Sequence, residues 1–163
     1  MRALLGAAER RVARRPGFKA MNVERLVVRP ARRSDADDLF PIIADFATSF
    51  VPERGAFERT LPRVLADENA CLLVAELEAR VTGYVLGFEH LTFFANGHVS
   101  WVEEIAVTAS LRGKGIGRAL MMGFEQWATS RRSPLIALAT RRAAGFYLAL
   151  GYEESATYFR KVL

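Results

Sequence analysis

The 163-residue chain has one cysteine, Cys71, and so cannot close a disulfide within itself. A lone thiol fits a reducing compartment, and the expectation is a cytoplasmic protein. Histidine is almost as scarce. His90 and His98 with one cysteine make no zinc-type ligand set, so a metal-free protein is expected. No apolar run reaches the roughly 18 residues that mark a membrane-spanning helix. The apolar patch near the start (Leu4, Leu5, Gly6, Ala7, Ala8) is short for a signal peptide and is interrupted by Glu9. Internal repeats and low-complexity tracts are absent as well.

Acidic residues are scarce only at the start. Residues 1–33 hold ten Lys/Arg against two Glu, whereas residues 34–163 hold thirteen against sixteen Asp/Glu. The net charge of +5 is therefore an N-terminal property, and the body is mildly acidic. The breaker Arg15-Pro16-Gly17 follows weak helical periodicity over residues 3–14. This divides the chain into a basic extension, residues 1–20, and a single domain, residues 21–163. The extension reads as an idle solvated arm, with nucleic-acid or anionic-surface binding as the alternative. With 51% hydrophobic residues, the body can bury a full core.

Along that body the pattern predicts a strand over 24–29, then a helix from Ser34 to Phe50 with Pro41 as an irregularity. A second helix is expected over 53–67, complicated by Pro62. Residues 70–77 and 81–94 read as an antiparallel hairpin, with Gly83 and Gly87 signalling a bulge or a close backbone approach. The turn Ala95-Asn96-Gly97 leads into a strand over 98–107. A helix to about Arg131, a buried strand over 134–139 and a short helix over 141–150 follow, the last stopped by Gly151. Residues 152–154 and 156–162 are expected to form a final hairpin or paired strands. The order is mixed α/β.

The stretch around which these elements gather is residues 101–118, W-V-E-E-I-A-V-T-A-S-L-R-G-K-G-I-G-R. Val102, Ile105 and Val107 favour extended backbone, while Gly113, Gly115 and Gly117 strip side chains from the loop that opens a helix. Free N–H groups and the positive end of the helix dipole suit a phosphate or pyrophosphate there, and Arg112, Lys114 and Arg118 add charge. No Ser or Thr follows Lys114, as the Walker loop requires, and Arg118 stands where the dinucleotide fingerprint needs its third glycine.

What remains, R-x-x-G-x-G between a strand ending A-V and a helix, resembles the acetyl-CoA loop of the GNAT-type N-acetyltransferases. Their pattern Q/R-x-x-G-x-G/A is matched by Arg112, Gly115 and Gly117. A second segment, A-A-G-F-Y-L-A-L-G-Y, resembles the family's A-x-x-F-Y-x-x-L-G-F in Ala143, Phe146, Tyr147, Leu150, Gly151 and Tyr152. The resemblance covers about residues 25–163 in order of elements.

It implies an α/β fold: a central, mostly antiparallel sheet with a splayed parallel strand pair, flanked by helices. It also implies acetyl transfer from acetyl-CoA to a primary amine of a small molecule or peptide. The alternative is a CoA-binding module without catalysis. The backbone of Ile105, Ala106 and Val107 would pair with the pantetheine arm. The loop Arg112, Gly113, Lys114, Gly115, Ile116, Gly117 and Arg118 would meet the pyrophosphate, with Gly115 and Gly117 admitting close approach. Where relatives commonly carry asparagine, this chain has Thr140, which replaces only part of that hydrogen-bonding capacity.

Tyr147 matches the tyrosine that protonates the departing sulfur, and Glu103 and Glu104 lie where relatives carry a base. Regular alternation would set Glu103 beside Ile105 and Val107, among bulky apolar neighbours, and Glu104 with Val102 and Ala106. Glu103 is preferred on that ground, and a bulge would favour Glu104 instead. Phe46, Phe50, Phe88, Phe93, Phe94 and Trp101 are candidate walls of the acceptor pocket. A homodimer is an open expectation.

Overall fold

The computed structural model describes residues 26–47 and 49–162. The basic extension, and with it the helical periodicity over 3–14, lies outside the described residues. A five-stranded sheet runs in the order β1-β2-β3-β4-β5. Its strands are β1 (Leu26–Pro30), β2 (Ala70–Leu77), β3 (Arg80–Thr92), β4 (Gly97–Val107) and β5 (Ile136–Leu138). The first three pairings are antiparallel and β4 with β5 is parallel, as expected of a mixed sheet with one parallel pair.

Helix α1 (Ala36–Phe46) and helix α2 (Arg54–Ala66) cover one face, and α3 (Ile116–Ser130) covers the other. Helix α1 does not start at Ser34. A 3-10 turn over Arg33–Asp35 precedes it, and the Asp35 carboxylate accepts from the Arg32 amide (2.7 Å) and from the Arg29 guanidinium (2.8 Å). Nor does it reach Phe50, since Ala47 is already extended. Pro41 and Pro62 both lie inside unbroken helices. The carbonyls they leave without a donor belong to the exposed Asp37 and Glu58, where water can bond them.

Helix α3 turns Ile116, Leu120, Met121, Phe124 and Ala128 onto the sheet, a stripe at helical spacing. Each large side chain buried there contributes about 1.5–3 kcal/mol. The fit depends on glycine in β3. A Cβ on Gly87 would lie 2.4 Å from Phe124 Cε2 and 2.5 Å from Trp101 O, and one on Gly83 would lie 2.8 Å from Ala106 O. Both expectations for these glycines are realised, because the ladder also slips by one residue next to each of them. At the far end of α3, Arg131 pairs with the carboxylate of Glu89, which is almost fully buried.

The last helix, α4 (Ala144–Leu148), is shorter than the sequence pattern suggests. Gly151, at φ +92°, closes it as expected. Its amide bonds Leu148 O (3.1 Å) and the next amide, Tyr152, bonds Tyr147 O (3.1 Å), satisfying the terminal carbonyls. The expected final hairpin is absent, since residues 153–162 form no strand. Tyr158 and Phe159 are adjacent, so a strand would point them to opposite sides, and both are exposed. An isolated two-stranded hairpin is marginal in water, and these side chains are left uncovered among the described residues.

Candidate active site

Strand β4 outruns its parallel neighbour. Only Ser100, Trp101 and Val102 pair with β5, at Ile136, Ala137 and Leu138. Among the described residues the edge of β4 facing β5 has no strand partner from Glu103 to Val107, and the two strands part there. A cleft of about 1640 Å³ occupies the opening. That exceeds the roughly 300–1,000 Å³ usual for a small-molecule pocket. Its lining includes Leu39, Leu61 and Tyr84 from the α1–α2 face and Val107, Ile116 and Tyr147 from the α3 face, so it joins the two faces.

One end of the cleft is the glycine loop. Gly113 (φ +75°) and Gly115 (φ +86°) hold left-handed backbone that other residues adopt only under strain. A Cβ on Gly115 would meet nothing within 4 Å, so backbone conformation, rather than protein packing, requires glycine there. At Gly117 a Cβ would press on Phe146 at 3.3 Å. The first bond of α3 runs from the Ala119 amide to Gly115 O (3.0 Å). The amides of Ile116, Gly117 and Arg118 thus precede the helical ladder, at the positive end of the dipole.

The loop's side chains are partly engaged within the protein. Arg112 donates to Val107 O (3.0 Å) and to the Asp45 carboxylate (3.0 Å), which ties the loop to the end of α1. Arg118 donates to Ala149 O (3.2 Å), and Lys114 is exposed. The Thr140 hydroxyl oxygen accepts from the Ala143 amide (3.1 Å), which leaves its O–H to donate.

Strand β4 carries an extra residue at the point of splay. Gly87 faces Val102 and Leu86 faces Glu104, so Glu103 is the unpaired residue of a bulge. The assignment of faces changes accordingly. Val102 packs with Ile105 and Val107 on the α3 face, while Glu104 shares the other face with Ala106. The apolar surroundings expected for Glu103 are not there, and its side chain is exposed. Glu104 is half-buried and accepts from the Tyr84 hydroxyl at 2.7 Å. Burial, and then the carboxylate beside it, push the Tyr84 phenol well above the usual tyrosine range, so it stays a donor.

Tyr147 is buried and stacks edge-on against Phe146 and Tyr152, at 5.0 and 5.8 Å between ring centres. Burial raises its phenol above the ordinary value, which keeps the proton on at neutral pH. Cys71 lies under α3, where burial pushes its thiol up to about 12, so it is not a nucleophile at neutral pH.

The expected pocket walls divide. Phe46 and Phe50 line the cleft together with Phe57, whereas Phe88, Phe93, Phe94 and Trp101 lie outside its lining. Phe93 and Phe94 are exposed at the β3–β4 turn. Tyr84, Asp45, Arg141 and Arg142 also belong to the site and were not among the residues singled out from sequence. Only the strand register could have pointed to Tyr84, which faces Ala106 across the ladder.

A splayed parallel pair, a glycine loop at a helix start, a buried tyrosine and two strand carboxylates thus border one cleft. Residues 36–152 match the model of the acetyltransferase (GNAT) family, and the chain belongs to that family. The aminoalkylphosphonate N-acetyltransferase of Salmonella typhimurium is 28% identical over 143 residues, covering 83% of this chain and 90% of that protein. An uncharacterized N-acetyltransferase of Methanocaldococcus jannaschii is 35% identical over 112 residues, covering 63% and 68%. Glucosamine-6-phosphate N-acetyltransferase from Arabidopsis thaliana has the same fold, with a TM-score of 0.75 at 17% identity over 84% of this chain and 97% of that one. The chain is an acyltransferase of this family. Among the described residues no helix is long and apolar enough to cross a membrane.

Proposed function

We propose that the protein transfers an acetyl group from acetyl-CoA to a primary amine, with Tyr147 as general acid and Glu104 as general base. The observation that carries this reading is the splay of β4 from β5, which brings an unpaired strand edge, a helix N-terminus, a phenol and a carboxylate to one cleft. When bound there, acetyl-CoA supplies an activated thioester carbonyl. The free edge of Ile105, Ala106 and Val107 offers backbone bonds to an extended amide-bearing arm, and the cleft has room for one. The amides at the start of α3, with the cations of the loop, suit its pyrophosphate.

An ammonium ion must lose a proton to attack. Glu104 is placed to take it, fixed by Tyr84 and half-buried on the α1–α2 side. The amine nitrogen then bonds to the carbonyl carbon, the carbon–sulfur bond breaks, and the sulfur keeps the electron pair. Tyr147 gives that sulfur a proton from a hydroxyl that burial keeps neutral, and the second proton that the nitrogen sheds on becoming an amide restores the phenol, while Glu104 loses its proton to solvent. Glu103, exposed in the bulge, acts on the approaching amine by charge alone.

Free-thiol release from acetyl-CoA, measured over a panel of amines, tests the reading. Glu104→Gln should lower kcat roughly 10²-fold and flatten the acidic limb of the pH–rate curve. A larger loss in Glu103→Gln would move the base to that residue. Gly117→Glu puts bulk and negative charge at the helix start, and calorimetry should find acetyl-CoA binding abolished. Wild-type affinity in that variant would remove the loop from the site.

A further inference from the structure

The two longest strands overrun the rest of the sheet at the end away from the cleft. Strand β2 leaves β3 at Phe88, and β5 joins β4 only from Ser100. Beyond those points, among the described residues, 90–92 and 97–99 have only each other as strand partners, in a two-stranded ribbon closed by the turn 93–96. Such a ribbon is marginal in water when it stands alone. Exposed strand edges are ordinarily guarded by charged side chains or proline. This one has neither: residues 90–102 contain no Asp, Glu, Lys, Arg or Pro, in a chain that is 25% charged. Its tip instead presents three large apolar side chains within four residues. Phe93 is fully exposed, and Leu91 and Phe94 are 73% and 74% exposed.

We infer that this ribbon is a self-association surface and that its occupant is the same ribbon of a second copy. An aromatic side chain presents about 150–250 Å², so at these exposures the tip offers roughly 500 Å² per copy and about 1,000 Å² for a pair. That reaches the lower bound for a specific interface, and the dimer is therefore a reversible one. A two-fold axis sets the patch against itself, where charges near the axis would meet their own kind. An uncharged ribbon carries no such penalty. By the same composition it offers no cation of its own to an anionic membrane or a nucleic acid. The ribbon and residues 103–107 stand at opposite ends of β4, so tip-to-tip pairing leaves both clefts open. The inference does not depend on the acetyl-transfer reading.

Sedimentation velocity of the full chain over about 1 to 500 μM should show monomer giving way to dimer. Phe93→Ser combined with Phe94→Ser should raise the midpoint concentration by at least about tenfold. The circular dichroism spectrum should stay the same, because both rings are exposed and neither joins the core. Hydrogen exchange of the unsubstituted chain gives a second readout that needs no variant: amides of residues 90–98 should exchange more slowly at the high concentration than at the low one. If the double variant fails to fold, that comparison decides alone. A chain that stays monomeric throughout overturns the inference, and cosedimentation of that monomer with phosphatidylcholine vesicles would make a membrane surface the occupant instead. A dimer that the double variant leaves intact, or one that forms without slowing exchange in the ribbon, overturns it equally.

Discussion

On the α3 face of the sheet, Val85, Leu120, Met121 and Phe124 have no exposed surface. On the opposite face, α2 buries only Leu61 of its thirteen residues, and the exposed Phe46 and Phe50 stand over a cleft. The same sheet thus has one face closed to water and one left partly open. Close packing contributes stability where nothing needs to enter. The loosely covered side gives up some of that stabilisation and gains room for a ligand. The cleft opens at the seam, where β4 and β5 part and residues of both faces meet.

Substitutions on the two faces should therefore fail in different ways. Phe124→Ala empties a fully buried site beneath α3 and should cost about 3–5 kcal/mol in urea unfolding, with any activity loss following the unfolded fraction. A cost below about 1 kcal/mol would mean that face is not the closed one. Tyr147→Phe sits at the seam. It keeps both ring contacts, so the urea midpoint should hold while kcat drops roughly 10²-fold and acetyl-CoA affinity survives. Equal losses of stability and rate would erase the distinction.

A smaller effect appears in alkali. Burial raises the phenols of Tyr84, Tyr147 and Tyr152, with Glu104 and Glu125 adding to the first and last. Unfolded tyrosines ionise near pH 10, so this contribution is fully present below about pH 10 and is lost as pH rises toward the folded values. Unfolding midpoints at about pH 8 and about pH 11 should differ in that direction, and less so in Glu104→Gln. The smallest effect is expected from removing residues 1–20, which should leave melting temperature and acetyl-CoA affinity nearly unchanged. A clear drop in melting temperature would show that the arm packs on one of the faces.

The elements on the closed face were the most legible from sequence. The α3 stripe obeys a simple helical period, and glycines mark the loop that opens it. Where periodicity was broken by a tertiary event, sequence reasoning went astray. Nothing in W-V-E-E-I-A-V says that the extra residue is Glu103, because a bulge is defined by the partner strand. Phe93 and Phe94 looked like pocket walls because aromatics are usually covered, yet the β3–β4 turn carries them outward. The C-terminal residues have strand-forming side chains, yet Tyr158, Phe159 and Val162 stay exposed and no strand forms. Tyr84 was invisible for the converse reason, since its role arises only from its position opposite Ala106.

The bulge has a consequence for how this site can change. Glu104 already pairs with Leu86 and Val102 with Gly87, so the ladder is in register on both sides of Glu103. Losing that one residue would join the two halves without turning any other side chain of β4 to the opposite face. Length variation elsewhere in a strand reverses every later position. At this point it would alter only how much negative charge borders the cleft. A deletion here is therefore a change in length that the sheet can absorb without repacking either face.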